Sequence, residues 1–227
     1  MTEPPTPLTL KIAGTGGELR LSADRLVVAG YTAKDEAAVA EHIAELARIG
    51  VPPPPTVPAF YNLDPRLLTT DAVLEVTSPS TSGEVEPVVI RRGGRHFLAV
   101  GSDHTDRDLE RTDIAASKAA CPKPLGSTVV EVGTDLSAVD WDHLSADSTV
   151  DDQLYQEGSI ATLRQPAELM QRMTAVLGEI TGDVVLFCGT LPLIDGTFVH
   201  GSSWRTRLHL PGGPTLTHAY ETKLRSV

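Results

Sequence analysis

Two stretches of this chain carry a clear helical period, Glu36 to Ile49 and Pro166 to Ile180; elsewhere most apolar residues fall in short runs cut by glycine and proline. Short apolar or alternating runs bounded by turn residues read as strands. The fold class this dictates is α+β and strand-rich, with a few short helices laid against the sheets. Leu8 to Ala13 and Glu18 to Ser22 read as strands joined by Gly14-Thr-Gly-Gly17, with Arg25 to Ala29 as a third. Those glycines serve turns; they do not spell GxGxxG and no βαβ unit surrounds them, so dinucleotide binding is discounted. Glu84 to Arg91 and His96 to Gly101 read as a hairpin across Arg92-Gly-Gly-Arg95. Val184 to Cys188 is continuously apolar, as a central buried strand is. Ala72 to Val76, Ser127 to Thr134, Ser203 to Leu210 and Thr215 to Tyr220 supply further strands.

Thr32-Ala-Lys-Asp35 resembles a capping box for the first helix, whose apolar stripe is Val39, Ile43 and Leu46, extended by Ile49. His42 falls on the same side, with Glu45 one turn away and able to hydrogen-bond the imidazole. That pair suits a general base; it equally suits a histidine at the edge of a core. The second helix opens with Pro166 and turns Leu169, Met173, Val176, Leu177 and Ile180 to one face. Between the first helix and the rest, Val51-Pro-Pro-Pro-Pro-Thr-Val-Pro58 reads as an extended connector, either a spacer or the arm of a lid. A helical stretch before Cys121-Pro-Lys-Pro124 is stopped by those prolines.

A chain of 227 residues, 41% hydrophobic, can bury one enzyme-sized core, so a single domain over 1–227 is expected: strands, lid helix and connector over 1–65, and a catalytic core over 66–227. A net charge of -11 with 4% aromatic residues argues against nucleic acid or an anionic membrane and for a small-molecule substrate. No run approaches the roughly twenty apolar residues of a membrane span, and the first residues lack the pattern of a secretion signal, so a cytoplasmic location is expected. Cys121 and Cys188 show no zinc spacing and read as buried thiols.

The chemistry gathers in Ser82-Gly-Glu-Val-Glu-Pro87 and Ser102-Asp-His-Thr-Asp-Arg-Asp-Leu-Glu110. On a strand, Glu84 and Glu86 project from one face, and Asp103 follows the next strand. Carboxylate oxygens suit Mg2+ or Mn2+, with Ca2+ also possible, although the same alternation describes any strand with one wet face. Lys118 matters to this site only if it faces the carboxylates; otherwise it is a solvated lysine. Gly189-Thr190, ending the buried strand, offers a place where a ligand can approach the backbone.

Taken in order, these pieces resemble the fumarylacetoacetate hydrolase superfamily, and more closely a DUF2848-like prokaryotic branch of it. Ala40-Glu-His-Ile-Ala-Glu-Leu46 looks like the lid motif, Glu84-Val-Glu86 like the ExE metal pair, and Asp103-His-Thr-Asp-Arg-Asp108 like the D-x-x-x-R-D element. Tyr155-Gln-Glu-Gly158, Gly182-Asp183 and Cys188-Gly-Thr190 follow in register. The resemblance implies a mixed β-sandwich roll, usually a homodimer, with Glu84, Glu86 and Asp103 as metal ligands. It implies His42, Glu45 and Lys118 as catalytic residues, and Asn62, Arg107, Gln156 and Thr190 as substrate-binding ones. The implied reaction is metal-dependent hydrolysis of a carbon–carbon bond in a 2-oxo acid or 1,3-dicarbonyl, of acylpyruvate type, through a metal-bound enolate. Decarboxylation, hydration or tautomerisation on the same site, and a binding protein without turnover, are the alternatives. Three departures bear on substrate: Asn62 stands where the family carries a lysine, Glu110 where it often has glutamine, and Leu191 intervenes between Thr190 and Pro192.

Overall fold

The computed structural model describes residues 6–48 and 52–225; the side chains at positions 42, 45 and 46 lie outside the described set. The N-terminal strands β1 (Leu8–Ile12), β2 (Glu18–Leu21) and β3 (Arg25–Gly30) lead to helix α1 (Glu36–Arg48). Then come β4 (Ala59–Leu63), β5 (Leu68–Thr69), β6 (Val73–Val76), β7 (Thr81–Ser82), β8 (Val85–Arg92), β9 (Arg95–Ser102) and β10 (Thr105–Asp106). Two short helices, α2 (Arg107–Glu110) and α3 (Ile114–Ala119), precede β11 (Lys123–Pro124) and β12 (Thr128–Gly133). The chain finishes with β13 (Ser145–Val150), β14 (Gln153–Ser159), helix α4 (Pro166–Leu177), β15 (Val184–Phe187), β16 (Ser203–His209) and β17 (Thr215–Leu224).

Eight strands form one mixed sheet in the order β2-β1-β12-β9-β8-β15-β3-β4, and five form a second in the order β14-β13-β16-β17-β6. The continuous apolar run at Val184–Phe187 is explained by its place: it pairs parallel with β3 and antiparallel with β8, and all four side chains are fully buried. Alternation along β8 divides the interior in two. Val85 and Val89 face a core shared with Ala146, Leu208 and Leu216 of the second sheet and Leu169 and Met173 of α4. Val88 and Ile90 face a core enclosed by the curl of the first sheet, with Leu10, Leu21, Val28 and Phe187. The β8–β9 hairpin turns on Gly93 and Gly94, both at positive φ (56° and 76°), as a two-residue hairpin turn requires.

Several expectations shift. Asp35, not Thr32, caps α1: its Oδ1 accepts from the N–H groups of Ala37 and Ala38 at 3.0 and 3.1 Å. Thr32 is instead buried at the end of the preceding segment, where its carbonyl accepts from Arg164 N–H at 2.8 Å. Val39 of the expected stripe is buried and Ile43 half-buried, while Leu46 and Ile49 fall outside the described side chains. On α4, Leu169 and Met173 are fully buried but Val176 and Leu177 are exposed, because the helix ends at Gly178 with only its first two turns against the core. The hairpin β13–β14 was not foreseen. Asp151 and Asp152 make its turn with φ of 46° and 63°, a left-handed pair that aspartate tolerates better than most residues. Cys121 and Cys188 are buried free thiols, as expected. Among the described residues, no helix is long and apolar enough to cross a membrane.

Candidate functional site

The two carboxylate segments meet because β7 pairs with β10, Ser82 opposite Thr105, and Asp103 N–H donates to the Glu84 carbonyl at 2.9 Å. Glu84 lies just before β8 and Glu86 within it, opposite Gly101. Glu86 is buried, and its Oε2 accepts from Gly189 N–H at 2.8 Å. Burial, and next the charge of Asp103, push its carboxyl well above the ordinary carboxylate range. Glu84 keeps slight exposure and pairs with Arg107 Nη2 at 3.2 Å.

Asp103 is fully buried between two ammonium groups. Lys118 Nζ donates to Oδ2, and Lys123 Nζ stands 3.1 Å from Oδ1 while donating to the His104 carbonyl at 2.5 Å. Oδ1 itself accepts no well-formed hydrogen bond. Burial alone would raise this carboxyl, but Lys118 and Lys123 outweigh it and hold it below the usual range. The reverse holds for Lys118: burial lowers it, and Asp103, Glu84 and Glu86 together leave it above an ordinary lysine. Burial dominates at Lys123, which is lowered.

Arg107 is nearly inaccessible. Its Nε donates to Ser82 Oγ at 2.5 Å, its Nη1 to Glu110 Oε2 at 2.8 Å, and its guanidinium lies 3.8 Å over the exposed Phe198 ring. Burial would lower Arg107, but Glu84 and Glu110 overcome that, so it stays charged. Behind the carboxylates, His104 Nδ1 meets Tyr220 Oη at 3.1 Å and its Nε2 meets Thr81 Oγ1 at 2.9 Å, in van der Waals contact with a ring cluster of Trp204 and Tyr220. Burial, then Lys123 and Arg107, push His104 down to about 3, so the ring is neutral. Gly83 is required here: a Cβ would fall 2.3 Å from Tyr220 Oη and 2.5 Å from Ser102 Oγ.

The structure thus brings Glu84, Glu86, Asp103, Arg107 and Lys118 together. Thr190 sits beside them, donating to the Val85 carbonyl at 2.9 Å. Gln156 is fully buried with its amide committed to the protein: Oε1 accepts from Val85 N–H and Ser148 Oγ, both at 2.9 Å, and Nε2 donates to Thr190 Oγ1 and the Leu191 carbonyl at 2.8 and 2.7 Å. In this arrangement it locks the start of β8 to the Gly189–Leu191 turn and has no amide group free for a ligand. Asn62 is not brought to the carboxylates. It is exposed and pairs with Val27 on the face of the second-sheet core, whereas its neighbour Tyr61 lies on the Glu86 side with its ring 5.6 Å from Lys118 Nζ. Burial raises the Tyr61 phenol to about 12. Positions 42 and 45 lie on α1, but the side chains of His42 and Glu45 are outside the described residues. Lys123 was missed from sequence because the prolines around it read only as a helix stop.

Among the described residues, no three metal-ligating side chains converge closely enough to hold an ion. Cations of the protein take their oxygens instead: Arg107 at Glu84, and Lys118 and Lys123 at Asp103. The donor set still fits a hard divalent cation. It is all carboxylate oxygen, Asp103 Oδ1 has no well-formed hydrogen bond beside its ion pair with Lys123, and Glu86 is buried with no ion pair among the described residues.

The fold is shared with solved structures described as fumarylpyruvate and fumarylacetoacetate hydrolases. Fumarylpyruvate hydrolase from Pseudomonas aeruginosa, solved in complex with Mn2+ and pyruvate, superposes with a TM-score of 0.68 at 20% identity, covering 99% of each chain. A putative fumarylacetoacetate isomerase/hydrolase from Oleispira antarctica gives 0.67 at 17% identity, over 98% of this chain and 100% of that one. A putative fumarylpyruvate hydrolase from Burkholderia cenocepacia gives 0.66 at 14% identity, over 100% and 94%. Within that fold the chain belongs to the family described as protein of unknown function (DUF2848), whose model matches residues 29–220. No curated protein sequence matches it.

Proposed function

We propose that this chain is a divalent-metal-dependent enzyme that hydrolyses a carbon–carbon bond in a 2-oxo acid or 1,3-dicarbonyl of acylpyruvate type. The observation that carries the reading is the gathering of Glu84, Glu86 and Asp103 with Lys118 at the ends of β8 and β9, in a fold shared with a hydrolase that holds Mn2+ and pyruvate. Glu84, Glu86 and Asp103 would hold Mg2+ or Mn2+, which when bound would supply Lewis-acid chemistry at the substrate oxygens. Arg107 fixes Glu84 through its ion pair, and the Gly189 N–H aims Glu86. Lys118 meets the substrate's negative charge, and Tyr61 and Phe198 border the place where it binds. The motif that His42 and Glu45 carry in the sequence gives His42 the role of base towards the attacking water, an effect worth roughly 10²- to 10⁴-fold in rate.

The test is a panel of acylpyruvates, oxaloacetate and enol acids in Mg2+ or Mn2+, followed by loss of the enol's ultraviolet absorbance. Cleavage that disappears in Glu86→Gln and falls at least about 10²-fold in His42→Ala supports the reading. Turnover unaffected by Glu86→Gln and by chelation would overturn it. Proton exchange or decarboxylation without cleavage would reassign the reaction.

A further inference from the structure

We propose that Lys118 is the group a divalent cation displaces from Asp103, while Lys123 remains and holds that carboxylate in position; this deepens, and rests on, the metal-dependent reading above. The two ammonium groups divide Asp103 between them, one at each oxygen, but they are held very differently. Lys123 is fully enclosed. Its main chain is paired with Leu68, prolines flank it on both sides, and its ammonium is also tied to the His104 carbonyl at 2.5 Å. Nothing about that setting lets it move.

Lys118 lies in the last turn of the short helix α3, and its side chain keeps 9% exposure, along the Tyr61 ring. Its ammonium sits on Asp103 Oδ2, the oxygen that Lys123 leaves to it, and its charge is also felt by Glu84 and Glu86. A cation held by Asp103 together with those carboxylates would compete with it for that oxygen. Arg107, Lys118 and Lys123 already occupy oxygens of Glu84, Glu110 and Asp103, so an added divalent ion beside an unmoved Lys118 sets like charges together. A lysine stem has four rotatable carbons and swings out readily, whereas a buried arginine held by Ser82, Glu84 and Glu110 does not. The displaced ammonium is then free to pair with an anionic substrate. Loading the metal and freeing the lysine are one event.

Titration calorimetry of the full chain with MgCl2 and MnCl2, on wild type, Lys118→Met and Lys123→Met, separates the two roles by sign. Losing an outer partner that orients a metal ligand typically weakens metal binding by about 10–100-fold, and Lys123→Met is expected in that range. Lys118→Met is expected to bind about tenfold tighter, since the competing cation is gone, a change of ~1.4 kcal/mol. Equal or weaker binding by Lys118→Met overturns the proposal and leaves the metal reading standing. No binding by any of the three overturns both. A measurement on wild type alone covers the case in which a variant fails to fold: in lysine-selective 15N spectra, Mg2+ should move the Lys118 ammonium to rapid solvent exchange and leave Lys123 protected. An unmoved Lys118 signal at saturating Mg2+ overturns the proposal.

Discussion

Replacing Gly189 by alanine tests how the Glu86 corner is built. Gly189 has φ of +99°, and an added Cβ would lie 1.8 Å from Thr32 Oγ1 and 2.8 Å from Thr32 Cβ. The backbone conformation costs a side-chain-bearing residue about 1–3 kcal/mol. Overpacking adds about 1–3 kcal/mol, because a rotation of Thr32 moves Oγ1 aside but not Cβ, and the Thr32 carbonyl is tied to Arg164 N–H at 2.8 Å. Gly189→Ala should therefore destabilise the protein by about 2–6 kcal/mol in urea unfolding, followed by the fluorescence of the buried Trp141 and Trp204. Adding Thr32→Ala should recover part of the packing cost and none of the backbone cost, leaving at least about 1 kcal/mol. A Gly189→Ala protein within about 0.5 kcal/mol of wild type would mean that the Glu86–Gly189 contact is not held as described here.

Acid stability should report His104. Its folded value of about 3 lies below an unfolded value of about 6.5, so the unfolded chain binds more protons between these limits, and stability complete above about pH 6.5 drains as pH falls, by up to about 1.4 kcal/mol per unit. Burial depresses His96 and His218 as well, which adds in the same direction, the raised Glu86 opposes it because the folded chain holds that proton more tightly, and the depressed Asp103 contributes loss only below about pH 4. His104→Asn should flatten the slope of urea stability between pH 6.5 and 4; an unchanged slope would refute the assignment. Gln156→Leu strands the Val85 N–H and the Leu191 carbonyl, at about 1–3 kcal/mol each, and a loss below about 1 kcal/mol would show that Gln156 is not the lock described here.

Much of the sheet was legible because buried strands here are apolar on both faces or alternate cleanly, as Val184–Phe187 and Ser203–His209 do. What escaped was set by tertiary contact. The strand Gln153–Ser159 is polar for much of its length, and its pairing is fixed by an aspartate turn, so no apolar period announced it. Glu84, Glu86 and Asp103 could be grouped only through the order of motifs that resembles a family, because alternating carboxylates equally describe a strand with one wet face, and Lys118 joined them only on the condition that it faces them. Lys123 was not, since a lysine between prolines gives no sign that it will be sealed against an aspartate. Asn62 was placed near the site on a family analogy that ignored strand parity: one residue along β4 changes the face.

The strand carrying Glu86 is a party wall between two interiors, with Val85 and Val89 on one side and Val88 and Ile90 on the other. A substitution along it is felt in both, so the floor of this site is costly to alter. Room for change lies instead along the rim, at positions such as Tyr61 and Phe198, where one core or none depends on the residue. New chemistry can be tried there without rebuilding the wall.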